Sequence, residues 1–432
     1  MKRKVVLPVV AVIASAMAAL LLVIQPASAV RLNQVIGDPL WRIESVQPGA
    51  SVGDCPVTRM DSQGNPRIVY YDATQKTLLY AGYDGSKWSS PVEVAPAERG
   101  HITCESGMAL QANGQPAVTF ATDDNRLFYA PATCTGGTCV FAPELVTIKL
   151  APGETGDTPR YPVMVFDDQG NPQILFRYHA NDTYWLIYTA KTGQGGTWVT
   201  EEPKKADGVS NVLIGAPETP GMGEPISVTR DASGDLRIAY YCMKQYTWYL
   251  TRSAAGEWSA PTLLTQDVNH FGIDITLDTA GGPHIVSIVQ PQGSVPRLIL
   301  FSCNASDVST CTQPANWTQN PLDTLPDSEA TSEMSSPRVR FSSINYPRIT
   351  YYYRDASGVA GLKYIYLEDA GTGTYKQAMI AHGVDVGRHA ALAITPSDVT
   401  TVSYPSGGAN GLIFASQVGQ VNDLIYLPVL SH

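Results

Sequence analysis

Charge is scarce in this 432-residue chain, where Asp, Glu, Lys and Arg together make up 16% of the residues. Basic residues are the rarer sign, with 29 Lys and Arg against 39 Asp and Glu, and the formal net charge is −10. A surface with this excess of negative charge repels phosphate backbones, which argues against nucleic-acid binding. Hydrophobic residues reach 44%, a proportion typical of a folded protein.

Motifs that mark several common enzyme classes are missing from the sequence. It contains no G-x-S-x-G nucleophile elbow, no H-E-x-x-H zinc motif and no glycine-rich phosphate loop. No C-x-x-C spacing occurs near histidines, so a zinc site is not expected. We therefore predict no catalytic residue, no metal and no cofactor.

Only one apolar run is long enough to cross a bilayer, and it lies at the N-terminus. Three basic residues precede the run 5–24, which is followed by Ala27-Ser28-Ala29. This order is typical of a secretory signal, here residues 1–29, with an uncleaved anchor as the alternative. We predict bacterial export to the medium or the cell surface, with no membrane span left after signal removal. The tail 417–432, which ends in LIYLPVLSH, is too short to span a membrane.

One phrase recurs along the chain and predicts the architecture. It reads DSQGNPRIVYYD from Asp61, DDQGNPQILFRY from Asp167 and DASGDLRIAYYC from Asp231. The equivalents of its proline, which lie 47 to 64 residues apart, are Pro66, Pro116, Pro172, Leu236, Pro283, Pro347 and Val399. A repeat of this length built from short strands indicates a β-propeller.

Each repeat contains the parts of one four-stranded blade. A lead-in strand, a D-x-x-G turn and a strand rich in β-branched and aromatic residues are followed by a third strand. An aromatic residue then opens the fourth strand; these aromatics are Trp88, Phe141, Trp198, Trp258, Trp317 and Tyr375. The sequence therefore predicts an all-β fold, a seven-bladed propeller of antiparallel blades over residues 30–416.

The seventh repeat lacks a fourth strand, and the N-terminus offers one. Residues 38–49, DPLWRIESVQPG, match DGSKWSSPVEVAP of the first repeat, with Trp41 in the place of Trp88. We predict that this segment closes the last blade by pairing with GLIFAS, residues 411–416, which removes an exposed sheet edge.

Six of the seven cysteines form plausible pairs for an exported protein. Two pairs bracket short polar loops, and the third occupies matching places in consecutive repeats. The predicted disulfides are Cys134–Cys139, Cys303–Cys311 and Cys55–Cys104. Cys242 is then expected to be unpaired.

The phrase D-x-x-G-N-P-x-I-x-Y-Y with a later G-x-x-W resembles the sialidase-like, or bacterial neuraminidase repeat, class of propellers. The resemblance covers nearly all of the chain after the signal and implies carbohydrate as the ligand class. The stretch KTGQGGTW, which ends at Trp198, shares glycine, threonine and tryptophan with the sialidase Asp-box but lacks its serine and aspartate. No early F/Y-R-I-P phrase occurs, and seven blades exceed the six of sialidases, so the chain is nearer to seven-bladed lectins.

Aromatic side chains give the candidate binding site. RYHANDTYWLIY in blade three and YYCMKQYTWYL in blade four place aromatics where the second-to-third-strand loop enters the third strand. Aromatic faces beside polar groups suit a sugar, whose C–H face stacks while its hydroxyls form hydrogen bonds. The predicted ligand-binding residues are His179, Asp182, Tyr184, Trp185, Gln245, Tyr246 and Trp248. Filling of the space between blades is the structural alternative for both tryptophans.

Loops of one face also carry charged residues that form no repeated set. The interblade loops contain His101, Glu105, Arg160, His270, Asp274, Arg388 and His389. Asp123-Asp124 is typical of an ordinary turn, and Arg354-Asp355 of a local ion pair.

From the repeat, the signal and the aromatic residues we predict an exported or cell-surface module that binds a glycan or surface polysaccharide. A sialidase-like glycoside hydrolase and a structural surface protein without a small ligand are the alternatives.

Overall fold

The computed structural model contains seven antiparallel sheets, arranged as the blades of one propeller. It describes residues 31–33, 39–49, 51–95, 102–149, 156–180, 183–193, 195–204, 212, 225–242, 246–266, 269–325, 336–354, 357, 359–369, 371–383, 386–407 and 411–418. The predicted signal, His101, Asp182, Gln245, Asp355 and the end of the tail lie outside the described residues. Nothing is described of the side chains of Cys242 and His270, so the unpaired state of Cys242 stays a prediction.

The strands follow the repeat in chain order. Two strands precede the first blade: β1 Arg31–Asn33 and β2 Trp41–Gln47. Blades one to three comprise β3 Val52–Met60, β4 Pro66–Asp72, β5 Thr77–Gly82, β6 Val92–Glu93; β7 Ile102–Leu110, β8 Pro116–Thr122, β9 Leu127–Thr135, β10 Thr138–Phe141, β11 Glu144–Leu145; and β12 Gly156–Phe166, β13 Pro172–Ala180, β14 Thr183–Lys191, β15 Trp198–Glu201.

Blades four to seven continue the same pattern. They comprise β16 Ile226–Arg230, β17 Leu236–Cys242, β18 Tyr246–Arg252, β19 Thr262–Thr265; β20 Asn269–Leu277, β21 Pro283–Gln290, β22 Arg297–Cys303, β23 Trp317–Thr324; β24 Arg338–Phe341, β25 Pro347–Arg354, β26 Ala360–Asp369, β27 Thr374–Gly383; and β28 Ala391–Ile394, β29 Thr400–Ser406, β30 Gly411–Gln417. Two short 3-10 helices, Val308–Thr312 and Pro314–Asn316, lie between β22 and β23.

The recurring aspartate explains why the phrase repeats. Asp61 accepts hydrogen bonds from the backbone N–H of Gln63 and of Asn65, both at 2.9 Å, which close the turn. Its other oxygen accepts from Arg67 at 2.7 Å. Asp167, Asp231 and Asp278 bind the equivalent backbone N–H groups. The D-x-x-G turn is therefore a structural device that fixes the start of each second strand.

Closure by the N-terminus is confirmed. β2 pairs antiparallel with β30, with Trp41 opposite Gln417, and so supplies the fourth strand of blade seven. β1 adds a fifth strand to the outer edge of this sheet, which the repeat pattern does not predict. Blade two also departs from the pattern, because Phe141 ends β10 and the fourth position is shared by β10 and β11.

The hydrophobic core is divided among the boundaries between blades. Each of the seven boundaries holds one cluster of buried apolar side chains. All seven tryptophans of the chain pack in or against these clusters. The ring is thus held together by burial of apolar area between neighbouring sheets.

Disulfides occur at the three pairs that the sequence predicts. Their Cα atoms are separated by 5.8 Å in Cys55–Cys104, 4.0 Å in Cys134–Cys139 and 5.9 Å in Cys303–Cys311. The first joins the innermost strands of blades one and two, and the other two close local loops. Among the described residues, no helix is long and apolar enough to cross a membrane.

Candidate functional site

A cavity of about 380 Å³ lies on the propeller axis, where the innermost strands surround it. All seven blades contribute to its wall, through β3, β7, β12, β16, β20, β24 and the start of β28. The lining residues include the first residues of β16 and β24, and also Tyr161 to Met164 in the middle and later part of β12. We call this cavity and its rim the channel mouth.

Bulges in the innermost strands turn side chains into the channel mouth. The pairing register shifts near Cys55 in β3, near Glu105 in β7 and near Tyr161 in β12. Cys55, Tyr161 and His389 all have positive φ, at 47°, 52° and 48°, and all three line the cavity. Positive φ is strained for such side chains, and this kind of strain clusters at functional sites.

Arginines dominate the charged lining of the channel mouth. Arg59 comes from blade one, Arg338 and Arg340 come from blade six, and Arg388 precedes the first strand of blade seven. Arginine binds carboxylate and sulfate groups through two parallel hydrogen bonds. The wall can therefore hold an anion, in a protein whose overall charge is negative.

The carboxylates of the lining differ in their surroundings. Asp274 accepts hydrogen bonds from the Ser227 hydroxyl at 2.8 Å, the Val339 N–H at 3.0 Å and Arg340 at 2.7 Å. These contacts join blades four, five and six and give Asp274 a structural role. Asp54 and Glu105 lie on the two neighbouring innermost strands that Cys55–Cys104 connects.

Glu105 faces the wall made by blade three. Burial raises the pKa of its carboxyl, against the opposing effects of Arg160, Arg177, the Thr103 hydroxyl and the Tyr161 N–H. β7 and β12 are in close contact beside it, because a Cβ on Gly107 would lie 2.8 Å from the carbonyl oxygen of Pro162. A carboxyl with a perturbed pKa in a cavity is a recognised mark of a functional site.

Aromatic rings enclose Arg177 beside Glu105. The Arg177 guanidinium lies 4.8 Å from the Tyr161 ring and 4.6 Å from the Tyr184 ring, and only 3% of the residue is exposed. The Tyr184 ring in turn lies 4.7 Å from the His179 ring. Two of the predicted ligand-binding residues, His179 and Tyr184, are thus linked to the channel mouth through Arg177.

The two predicted tryptophans occupy different boundaries. Trp185 packs against the cluster between blades two and three, whereas Trp248 packs against the cluster between blades three and four. Both are half-buried. Tyr246 lies 6.3 Å from Trp248 between ring centroids. Trp185 and Trp248 thus belong to different clusters, and their role in ligand binding stays a prediction.

Sequence reasoning found part of the channel mouth without recognising it as one site. The sequence places Glu105, Asp274, Arg388 and His389 in interblade loops. All four line the cavity, but the loop assignment is wrong for Glu105 and Asp274, which lie within β7 and β20 because the innermost strands begin earlier than predicted. The residues that sequence reasoning missed are Asp54, Arg59, Tyr161, Arg177, Arg338 and Arg340. No consensus marks them, because the residue type at a given position changes from repeat to repeat: Arg59 and Arg340 both lie seven residues before their marker prolines, where blade two has Ala109.

Comparisons with known proteins support the fold. A polysaccharide lyase, an ulvan lyase bound to -[GlcA(1-4)Rha3S]-, matches with a TM-score of 0.56 at 13% identity, over 90% of this chain and 96% of that one. The Aleuria aurantia lectin, with Fucα1-6GlcNAc, has a TM-score of 0.46 at 13% identity, over 78% and 97%. The NanB sialidase from Streptococcus pneumoniae has a TM-score of 0.44 at 12% identity, over 87% and 69%.

No family model matches the chain, and no curated protein matches it. Among the described residues, no group of three or more His, Cys, Asp or Glu side chains could hold a metal ion. The chain is a seven-bladed β-propeller, and its likeness in fold to the ulvan lyase extends over 90% of its length.

Proposed function

We propose that this protein is an exported carbohydrate-binding propeller that holds an acidic saccharide at its channel mouth. The observation that carries the proposal is the arginine-rich lining, to which blades one, six and seven contribute. The formal net charge of −10 disfavours acidic ligands elsewhere on the surface. A local cationic site therefore both attracts such a ligand and selects where it binds.

The cavity also has the size and the aromatic content of a small-molecule site. Its volume of about 380 Å³ falls within the range of such sites, about 300–1,000 Å³. Tyr161 lines it, and Tyr184 extends the aromatic surface toward the loops of blade three. An acidic saccharide could place its charged group against arginine and a C–H face against these rings.

An extended ligand would continue over blades three and four. Trp185 and Trp248 are half-buried near the loop ends of their third strands, and Tyr246 lies beside Trp248. We propose these side chains as accessory contacts for further sugar units. Export is supported by the three disulfides, which are typical of oxidising compartments, and by the signal-like residues 1–29.

A glycan array of neutral and acidic saccharides tests this function. We expect binding to acidic glycans, followed by a loss of affinity of roughly thirtyfold in Arg388→Ala, the effect of a typical hot-spot residue of about 2 kcal/mol. Arg42→Ala is the control, because Arg42 lies on the closing strand away from the cavity and pairs with Glu44. Binding to neutral glycans alone, or equal effects of both variants, would overturn the proposal.

A glycoside hydrolase is the second candidate, favoured by Asp54 and Glu105. These carboxylates lie on neighbouring strands beside one disulfide, and Glu105 has the raised pKa that a proton donor requires. Turnover of an acidic oligosaccharide by the wild type and its loss in both Asp54→Asn and Glu105→Gln would support this candidate. Binding without turnover leaves the binding function alone.

A further inference from the structure

The Glu105 carboxylate sits where an acidic group of a ligand could also sit. The charges of Arg160 and Arg177 act on this carboxyl and oppose the rise of its pKa, and it accepts hydrogen bonds from the Thr103 hydroxyl and the Tyr161 N–H. Arg160 itself donates to the Thr122 carbonyl at 3.3 Å, which anchors it to blade two. The ionised carboxylate of Glu105 is thus an anion that the protein itself supplies near Arg160 and Arg177 of blade three.

The surroundings of Glu105 are fixed by packing. Tyr161 is held at positive φ, its N–H points to Glu105, and its ring stacks on Arg177. Gly107 allows β7 and β12 to approach with no intervening side chain. An approaching anion therefore meets a preformed arrangement of cations and one carboxyl.

Other titratable groups contribute to the same cavity from every side. Asp54 lines it from β3, Asp274 from β20, and His389 from the segment before β28. Asp274 is bound by Arg340, and His389 Nδ1 lies 3.2 Å from the Ser336 hydroxyl. The positively charged residues that line or flank the cavity are Arg59, Arg160, Arg177, Arg338, Arg340 and Arg388.

We infer that Glu105 is the specificity-determining residue of the channel mouth, which admits an acidic group of a saccharide to the blade-three wall only when its own carboxyl takes up a proton. This inference rests on the proposed function. Two anions beside the same arginines repel each other, and protonation of the carboxyl removes that repulsion. The raised pKa of Glu105 brings this protonation closer to neutral pH.

Two consequences distinguish this role from a structural one. Binding of an acidic saccharide should take up a proton, so its affinity should rise as the pH falls, by at most about tenfold per pH unit for one proton. A ligand with two acidic groups should gain more than a ligand with one, because the second group needs the blade-three wall. Glu105→Gln should remove both effects, since glutamine keeps a hydrogen-bond acceptor but cannot ionise.

The experiment uses monosulfated and disulfated forms of one disaccharide, because sulfate esters keep their charge throughout the range tested. Dissociation constants are measured from pH 5 to pH 8 for the full mature chain and its variants. We expect the wild type to bind the disulfated form more tightly as the pH falls. Glu105→Gln should bind it with a pH-independent affinity that exceeds the wild-type affinity at pH 8.

Three controls keep the result interpretable. Glu105→Asp retains an ionisable group and should retain a pH-dependent affinity. Glu257→Gln changes an exposed turn residue, and its affinity should depend on pH as that of the wild type does. Thermal unfolding of each variant shows that it is folded. Wild-type binding that does not change with pH, or an unchanged slope in Glu105→Gln, overturns this inference alone. Failure of the wild type to bind any acidic saccharide overturns the proposed function and this inference with it.

Discussion

The indole of Trp41 meets the ring of Tyr364 edge to face, with centroids 5.2 Å apart. Trp41 belongs to the N-terminal closing strand, whereas Tyr364 belongs to the third strand of blade six. The contact therefore ties the beginning of the propeller to a neighbouring blade as well as to its own sheet. Trp41 is only 1% exposed, so the closing strand is part of the hydrophobic core.

Trp41→Ala should lower the free energy of unfolding by about 3–5 kcal/mol, the usual cost of removing a buried aromatic side chain. Denaturant titration followed by circular dichroism measures it. Arg42→Ala, on the exposed face of the same strand, should change it by about 0.5 kcal/mol or less. Equal effects of both point variants would contradict a closing role for the strand.

Deletion of residues 38–49 should expose an edge of β30 and promote aggregation, which light scattering detects.

The Cys55–Cys104 and Cys134–Cys139 disulfides should differ in their contribution to stability. Cys55 and Cys104 are 49 residues apart in sequence, whereas Cys134 and Cys139 are five apart. In the loop-entropy model, removal of the first bond costs about 4 kcal/mol and removal of the second about 2 kcal/mol. Paired Cys→Ser variants in denaturant titrations check this order, and the reverse order would rule out the entropic account.

Asp231→Ala should be strongly destabilising because it removes the closest carboxylate from a buried cation and leaves only Asp235, at 3.4 Å, as its counter-charge. Arg237 donates to Asp231 at 2.6 and 2.9 Å, and its side chain is 5% exposed. Removal of one partner of such a pair costs about 3–5 kcal/mol. Asp168→Ala is the matched control, because Asp168 is 71% exposed in its pair with Arg230, so solvent screens the pair and its loss should change stability far less. Similar losses in thermal unfolding would contradict the prediction.

His284 should make stability depend on pH. Burial lowers the pKa of its imidazole, against the opposing effect of Asp278, whose carboxylate lies 3.2 Å away. The unfolded chain binds the proton more readily, so stability should fall as the pH drops below about 6.5, the pKa of an unperturbed histidine. Unfolding temperatures between pH 5.5 and 7.5 measure the slope. His284→Gln should flatten it, and an unchanged slope would assign the dependence to other groups.

Trp185→Ala and Trp248→Ala test the accessory contacts over blades three and four. If these rings bind sugar units, each change should weaken binding of a long acidic glycan by about 2 kcal/mol. A disaccharide that fills only the channel mouth should bind both variants as it binds the wild type. Both changes should also lower stability, because the rings pack against the clusters between blades. Lower stability with unchanged affinity for the long glycan would leave them as packing residues.

Sequence alone determined the repeat, the number of blades, the closing strand and the three disulfides. Each of these depends on local chemistry: the Asp61 turn, the β-branched and aromatic strands, and cysteines at matching places in the repeat. Such features lie within one blade or recur at a regular interval, so the sequence pattern alone predicts them.

The channel mouth was decided only by the tertiary structure. Ring closure brings Glu105 near Arg160 and Arg177, and it places Arg388 on the wall of the same cavity although it lies more than two hundred residues further along the chain. Bulges then turn Cys55, Glu105 and Tyr161 inward at matching positions, each eleven residues before its marker proline, where the residue type differs from blade to blade. The physical reason is that each blade contributes a different type of side chain to one shared axis, so the repeat pattern does not indicate which side chains form a site there.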